Sequence, residues 1–131
     1  MTAIGNLTGA LAIAIGLYAV AAGLGMLTAP DRFRQMIDNA ENSPALNFAI
    51  GILVFSVGTA IALTHPMGEG WLSILVTITG WGMAIEGLVF LAAPQIIWSI
   101  ARPMAALGGR VGGAIATLAG AAFVWAGYCH L

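Results

Sequence analysis

Four long stretches without charged side chains limit how this chain can fold more than any other feature. Residues 1–30, 42–68 and 111–131 contain no Asp, Glu, Lys or Arg, and residues 70–101 contain only Glu86. Each stretch supplies the roughly 20 residues that a helix needs to cross a bilayer. The chain is 60% hydrophobic and only 7% charged, whereas a soluble domain carries about 25% charged residues. We therefore predict an all-α integral membrane protein.

The four uncharged stretches predict four transmembrane helices. We place them near residues 6–28, 46–64, 71–93 and 108–129, in a four-helix bundle that forms a single membrane domain. The first span is not expected to be a cleavable signal peptide, because no basic residue precedes it and its apolar stretch is too long. The short connection between the second and third spans makes these two spans antiparallel neighbours.

The basic residues indicate how the bundle is oriented. All four are arginines, and they fall in the first and third connections: Arg32, Arg34, Arg102 and Arg110. The positive-inside rule places these two connections in the cytoplasm, so that both termini face outward. The formal net charge of −1 gives the chain no basic face for nucleic acid.

The chain contains one of its segments twice. Residues 16–30 read GLYAVAAGLGMLTAP and residues 80–94 read GWGMAIEGLVFLAAP, so that glycines and a terminal proline recur at an offset of 64. We predict two tandem repeats, 5–66 and 70–131, each consisting of a span, an interfacial amphipathic helix and a second span. Because each unit crosses the membrane twice, the two copies share one orientation. A pseudo-twofold axis along the membrane normal would relate them.

The connections after Pro30 and Pro94 are predicted to be helices that lie in the membrane interface. In residues 31–41 the apolar side chains recur at helical spacing and the opposite face is charged, which is typical of an interfacial helix. Pro103 is expected to end the second such helix. Six tryptophans and arginines are predicted to anchor the chain at the interfaces: Trp71, Trp98, Trp125, Arg32, Arg34 and Arg102.

Glycines recur at intervals of seven residues in all four spans. Seven residues make about two helical turns, so each series forms one stripe without side chains. In lipid, small residues let helix backbones approach closely. We therefore predict that the two halves touch backbone to backbone along these glycines: Gly9, Gly16, Gly23, Gly51, Gly58, Gly80, Gly87, Gly113, Gly120 and Gly127.

Glu86 is the carboxylate placed well within a span, which makes it a candidate functional residue. Arg110 is the proposed partner, because aligning the glycines of the two repeats shows that the first repeat replaces both charges, with Ala22 and Phe48. A structural ion pair between Glu86 and Arg110 is the preferred interpretation. The alternatives are a protonatable site used in transport, or a neutral Glu86 held by a backbone carbonyl, a threonine or a partner protein.

Other reactive side chains show no spacing typical of a catalytic or metal site. His65 and His130 end the second and fourth spans on the same side, but the glycine alignment does not bring them together, and we interpret them as interfacial histidines. A lone cysteine, Cys129, indicates neither an intrachain disulfide nor a metal motif. We predict no catalytic residues, no metal, no cofactor and no enzymatic activity.

The second half of the chain resembles a known family. Glu86-Gly87-Leu88, then Pro94, a Trp-containing amphipathic stretch and Arg110-Val111-Gly112-Gly113 leading to Gly120 resemble the YjeT-like family of small two-span bacterial inner-membrane proteins of unknown function. The first half looks like a diverged duplicate, because it keeps the glycines and the proline but lacks the Glu and the Arg. The resemblance implies a bacterial inner membrane and brings no activity. In that membrane the arginine distribution predicts both termini on the periplasmic side.

Three functions follow as hypotheses. The leading one is a non-enzymatic structural or accessory membrane protein that packs into a homo-oligomer or a larger membrane complex, because packing faces are abundant and catalytic groups are absent from the sequence. The second is a small transporter or channel with Glu86 as its protonatable site. The third is a protein that binds lipid or another hydrophobic ligand between its repeats.

Overall fold

A computed structural model of the chain describes residues 3–65, 67–68, 70–106 and 109–131, with the side chains of 3–5 and 104–106 left out of the description. These residues form six α-helices, which confirms the all-α fold class. The helices are α1 (Ala3–Thr28), α2 (Pro30–Glu41), α3 (Pro44–Thr64), α4 (Trp71–Ala92), α5 (Pro94–Ala106) and α6 (Gly109–His130).

Four of the six helices are long and apolar enough to cross a membrane. These spans are Asn6–Thr28, Pro44–Thr64, Trp71–Ala92 and Gly109–His130, close to the predicted ones. Residue 108, predicted to begin the last span, and residue 66, predicted to end the first repeat, lie outside the described residues. The length and hydropathy of these helices identify the chain as a membrane protein.

The two short helices begin at matching breaks in the backbone. Ala29 has φ −143° and ψ 66°, and Ala93 has φ −153° and ψ 70°. The residue that follows each break is a proline, which suits the first turn of a helix because it has no N–H that needs a partner. The sequence span, proline, short helix, span thus occurs twice, with the same backbone turn at equivalent positions.

The end of α5 differs from the sequence prediction. Pro103 was expected to stop this helix, but α5 continues through it to Ala106. A proline has no N–H to bond the carbonyl four residues earlier, which here is that of Ser99. Pro103 therefore lies inside α5, close to its C-terminal end.

The spans pack as two antiparallel pairs, and each pair joins one half of the chain to the other. In the first pair α1 lies along α6. A Cβ atom built on Gly16 would lie 2.6 Å from the carbonyl oxygen of Gly120, which is closer than side-chain carbons approach. Gly9 faces Gly127 and Gly23 faces Gly113 in the same way. Glycine is therefore needed here for the close approach of the two backbones.

The second pair consists of α3 and α4, the neighbours that the short connection predicts. Its glycines are staggered rather than face to face. A Cβ atom on Gly58 would lie 2.7 Å from the backbone of Met83, and one on Gly80 would lie 2.6 Å from the side chain of Ile61. The α3–α4 pair is thus shifted by about one helical turn relative to the α1–α6 pair, in which Gly16 meets Gly120.

The two ends of the bundle differ in how tightly they are closed. The short connection between α3 and α4 lies at one end of the bundle, which we call the histidine end after His65. The opposite end carries α2 and α5, and we call it the arginine end. The buried apolar cluster lies toward the histidine end and contains Ala12, Ile61, Leu72 and Val76. At the arginine end a groove opens between α1, α6 and the short helices α2 and α5.

Candidate functional site

Glu86 lies on the outer surface of α4, within a predicted membrane span. Its side chain is exposed, and the ion pairs of the described residues do not include it. The threonines considered as its partners are engaged elsewhere: Thr77 bonds His65 and Thr79 donates to the carbonyl of Leu75. Among the described residues this exposed carboxyl group therefore has no partner.

Arg110 does not reach Glu86 within the chain, which corrects the predicted intrachain pair. Arg110 is also exposed, and the ion pairs of the described residues do not include it either. Ala122 of α6 and Leu75 of α4 line the same shallow groove, so Ala122 marks the face of α6 that is turned toward α4. Arg110 precedes Ala122 by 12 residues, which places it about 120° around the helix from that face. Arg110 therefore points away from α4.

An apolar groove opens at the arginine end between α1, α2, α5 and α6. Its volume is about 380 Å³, which falls in the range of small-molecule sites. Arg34 is the charged residue among the described residues of its lining, and α1, α2 and α6 supply most of the other side chains. The lining comprises Met26, Pro30, Phe33, Arg34, Ile37, Ala101, Gly109, Gly112, Ile115 and Ala116.

The corresponding place beside α3, α4 and α5 is filled by side chains of the protein. Trp98 is 8% exposed, and its indole Nε1–H donates to Oδ1 of Asn47 over 2.8 Å. The ring packs edge to face on Phe90, with the centroids 5.7 Å apart and the planes at 80°. Trp98 is therefore a buried packing residue, which corrects its prediction as an interfacial anchor.

An ion-pair cluster joins α5 to α2 at the arginine end. The Arg102 guanidinium contacts the carboxylates of Glu41 and, at 3.8 Å, Asp38. The hydrogen bond and the charge of Glu41 raise the pKa of Arg102 above its ordinary value. Arg102 thus connects the two short helices, in addition to lying at the surface.

The histidine end contains a buried polar cluster that sequence reasoning missed. His65 was predicted to be an interfacial histidine, but it is 0% exposed. Its Nε2 lies 2.7 Å from Oγ1 of Thr8 and its Nδ1 lies 3.0 Å from Oγ1 of Thr77. Burial lowers the pKa of His65. The three residues join α1, α3 and α4 through one imidazole ring.

The other predicted anchors lie on the surface. Trp71 is 64% exposed and Trp125 is 70% exposed, and Arg32 and Arg34 are exposed as well. Their positions at the ends of the spans and on α2 fit side chains that sit at a membrane interface.

Among the residues that the structure describes, no group of three His, Cys, Asp or Glu side chains is arranged to hold a metal ion. Comparisons of the chain with models of protein families, with curated proteins and with solved structures found no match. The resemblance to the YjeT-like family stays a prediction.

Two signals in the sequence pointed to the features that were missed. Thr8, His65 and Thr77 are polar side chains in segments that are otherwise apolar. Such side chains form hydrogen bonds between neighbouring helices of a bundle. The groove follows from a comparison of the repeats, because the first repeat has no tryptophan at the position that corresponds to Trp98. Neither signal could be assigned a geometry before the helix pairs were known.

Proposed function

We propose that this protein is a non-enzymatic accessory protein of the membrane that assembles with further copies of itself. The single observation that carries the proposal is the exposed, unpartnered Glu86 within a membrane span. An ionisable side chain that faces lipid is costly, and such residues almost always face a protein partner or an aqueous cavity. Glu86 is absent from the described linings of both grooves, which favours a partner.

Charge complementarity favours a second copy as this partner. Arg110 is exposed and forms no ion pair with the other described residues, and its charge is opposite to that of an ionised Glu86. Gly23 meets Gly113, and Gly87 corresponds to Gly23 in the second repeat, so Gly87 and Gly113 lie at similar depths. Glu86 and Arg110 are displaced from these two glycines in opposite directions along the membrane normal. Glu86 therefore lies about one helical turn, roughly 5 Å, farther from the arginine end than Arg110. An arginine side chain extends along the membrane normal far enough to cover this difference.

The surface around Glu86 allows another helix to approach closely. Gly82 lies one turn before Glu86 on the same exposed face, and a Cβ atom added there would meet nothing within 4 Å. Small residues beside a polar side chain are typical of helix contacts in membranes. Because Arg110 and Glu86 point in different directions, the contact joins two different faces. Such a head-to-tail contact closes into a ring when its rotation allows.

The mass of the purified complex in mild detergent tests the proposal. We expect the unmodified chain to form an oligomer of two or more copies, and we expect Glu86→Gln and Arg110→Gln each to shift it toward the monomer. The double variant Glu86→Arg with Arg110→Glu restores the opposite charges and should restore the oligomer. Arg32→Gln removes an exposed charge elsewhere and serves as the control.

Two outcomes would contradict self-assembly. One is a monodisperse monomer of the unmodified chain in several mild detergents. The other is a single copy of the chain in stoichiometric complex with a different membrane protein, which would keep the accessory role but replace the partner.

A further inference from the structure

The groove at the arginine end and the site filled by Trp98 occupy equivalent places in the two repeats. Adding 64 to the numbers of Met26 and Arg34, which line the groove, gives Phe90 and Trp98. The glycines of α3 and α6 align at an offset of 62. At this offset Asn47 corresponds to Gly109, which also lines the groove. Three side chains that fill one site thus have counterparts that line the open one.

The replacements explain why one site is open. Phe90, Trp98 and Asn47 contact one another through a ring pair and a hydrogen bond. At the open site the indole is replaced by an arginine whose side chain is exposed, and the asparagine is replaced by a glycine without a side chain. The described lining therefore leaves an apolar space with a single positive charge at its edge.

We propose that this groove binds an anionic phospholipid, with one acyl chain in the groove and the phosphate on Arg34. The position of the groove supports this occupant, because it extends from Pro30, where α2 begins, along α1 and α6 into the span. An acyl chain is the apolar molecule that surrounds the protein at this depth, and the headgroup phosphate lies at the level of the interface. The inference does not depend on self-assembly through Glu86.

The charge on Arg34 selects the headgroup. The ion pairs of the described residues in α2 and α5 involve Arg102 with Asp38 and Glu41, so the guanidinium of Arg34 is available. A guanidinium matches the geometry of a phosphate with two parallel hydrogen bonds. The cytoplasmic leaflet, where the positive-inside rule places α2, carries anionic lipids.

Native mass spectrometry of the detergent-purified chain, titrated with phosphatidylglycerol, tests the proposal. Diacylglycerol with the same acyl chains is the comparison, because it offers the same apolar surface without a phosphate. We expect one phosphatidylglycerol per chain and weaker retention of diacylglycerol. Arg34→Gln should weaken phosphatidylglycerol binding by about tenfold, the effect of losing a hydrogen bond to a charged group. Arg32→Gln is the matched control on the same helix and should bind normally.

A second variant blocks the groove itself. A Cβ atom on Gly112 would lie 3.0 Å from the terminal methyl group of Met26, a flexible side chain that can move aside. Gly112→Leu should therefore fill the groove and abolish retention of both lipids while the helical content is kept. The proposal is overturned if the unmodified chain retains no phosphatidylglycerol. Equal retention by the unmodified chain, Arg34→Gln and Gly112→Leu would overturn it as well.

Discussion

The position of His65 in the chain suggests an exposed side chain, but in the structure the side chain is buried. It follows the last residue of α3, where a histidine would ordinarily meet water and headgroups. In the structure the imidazole is buried between the hydroxyl groups of Thr8 and Thr77. A neutral imidazole donates through one nitrogen and accepts through the other, so two hydroxyl groups satisfy it. The ring thereby connects three helices at the histidine end.

The stability of the protein should depend on pH through His65. Burial lowers the pKa of this imidazole below its ordinary value of 6.5, so the folded state binds a proton less readily than the unfolded state. The stabilisation is therefore complete above pH 6.5 and is lost as the pH falls through the lowered pKa. We expect the thermal unfolding temperature in detergent to fall as the pH is lowered below 6.5. His65→Gln should reduce this dependence and His130→Gln should leave it unchanged; a dependence that survives His65→Gln would contradict the assignment.

The hydrogen bond between Thr77 and His65 gives a second prediction for a single residue. Thr77→Val keeps the shape of the side chain and leaves Nδ1 of the buried His65 without its hydroxyl partner. A buried polar group without a partner costs about 1–3 kcal/mol. We expect the free energy of unfolding to fall by this amount. Thr79→Val, on the same helix, removes a hydroxyl that bonds only to its own helix and should change stability little.

At the scale of the helices, much of the structure could be predicted from the sequence. Pro30 and Pro94 marked the breaks between spans and short helices, because proline restricts the backbone locally. The spacing of the glycines indicated which face of each span is bare. The sequence did not indicate which bare faces meet, because the pairing of α1 with α6 depends on the arrangement of all four spans. The burial of Trp98 followed from this arrangement and was missed for the same reason.

The glycine contacts predict that Gly→Ala substitutions lower stability where two backbones touch and not where the glycine faces open space. Gly16→Ala and Gly120→Ala place a methyl group in space occupied by the facing backbone, and overpacking costs about 1–3 kcal/mol. Gly25→Ala places it where nothing lies within 4 Å. Unfolding in mixed detergent should show a loss of stability for the first two variants and no loss for Gly25→Ala. Equal effects at all three positions would contradict the packing of α1 against α6.

At the scale of the whole molecule, the two ends of the bundle have different roles. The histidine end is closed by the apolar cluster and by His65, whereas the arginine end holds α2 and α5 together through Arg102. The groove and the unpaired Arg34 lie at the arginine end, and Glu86 faces outward from the same half of α4. The intrachain partner of Glu86 could not be chosen correctly from the sequence, because the direction of Arg110 around α6 depends on how α6 meets α4.

The orientation in the membrane can be measured with the cysteine that the chain already contains. Cys129 is exposed near the end of α6, and the arginines of the first and third connections predict that this end lies outside the cytoplasm. We expect a membrane-impermeant maleimide to label Cys129 in spheroplasts of an expressing bacterium. Labelling confined to inside-out vesicles would reverse the orientation.

Cross-linking between copies tests the contact of Glu86 with Arg110 of another copy. Two differently tagged chains carry Cys129→Ser together with either Ile85→Cys or Val111→Cys, so that both charges are kept and the new thiols lie beside them. We predict that oxidation in native membranes links the two tagged chains, and that a chain with Leu53→Cys, on the exposed face of α3, links far less to the Val111→Cys chain. Linking of the two pairs to the same low extent, at expression levels where both chains are inserted, would contradict the account.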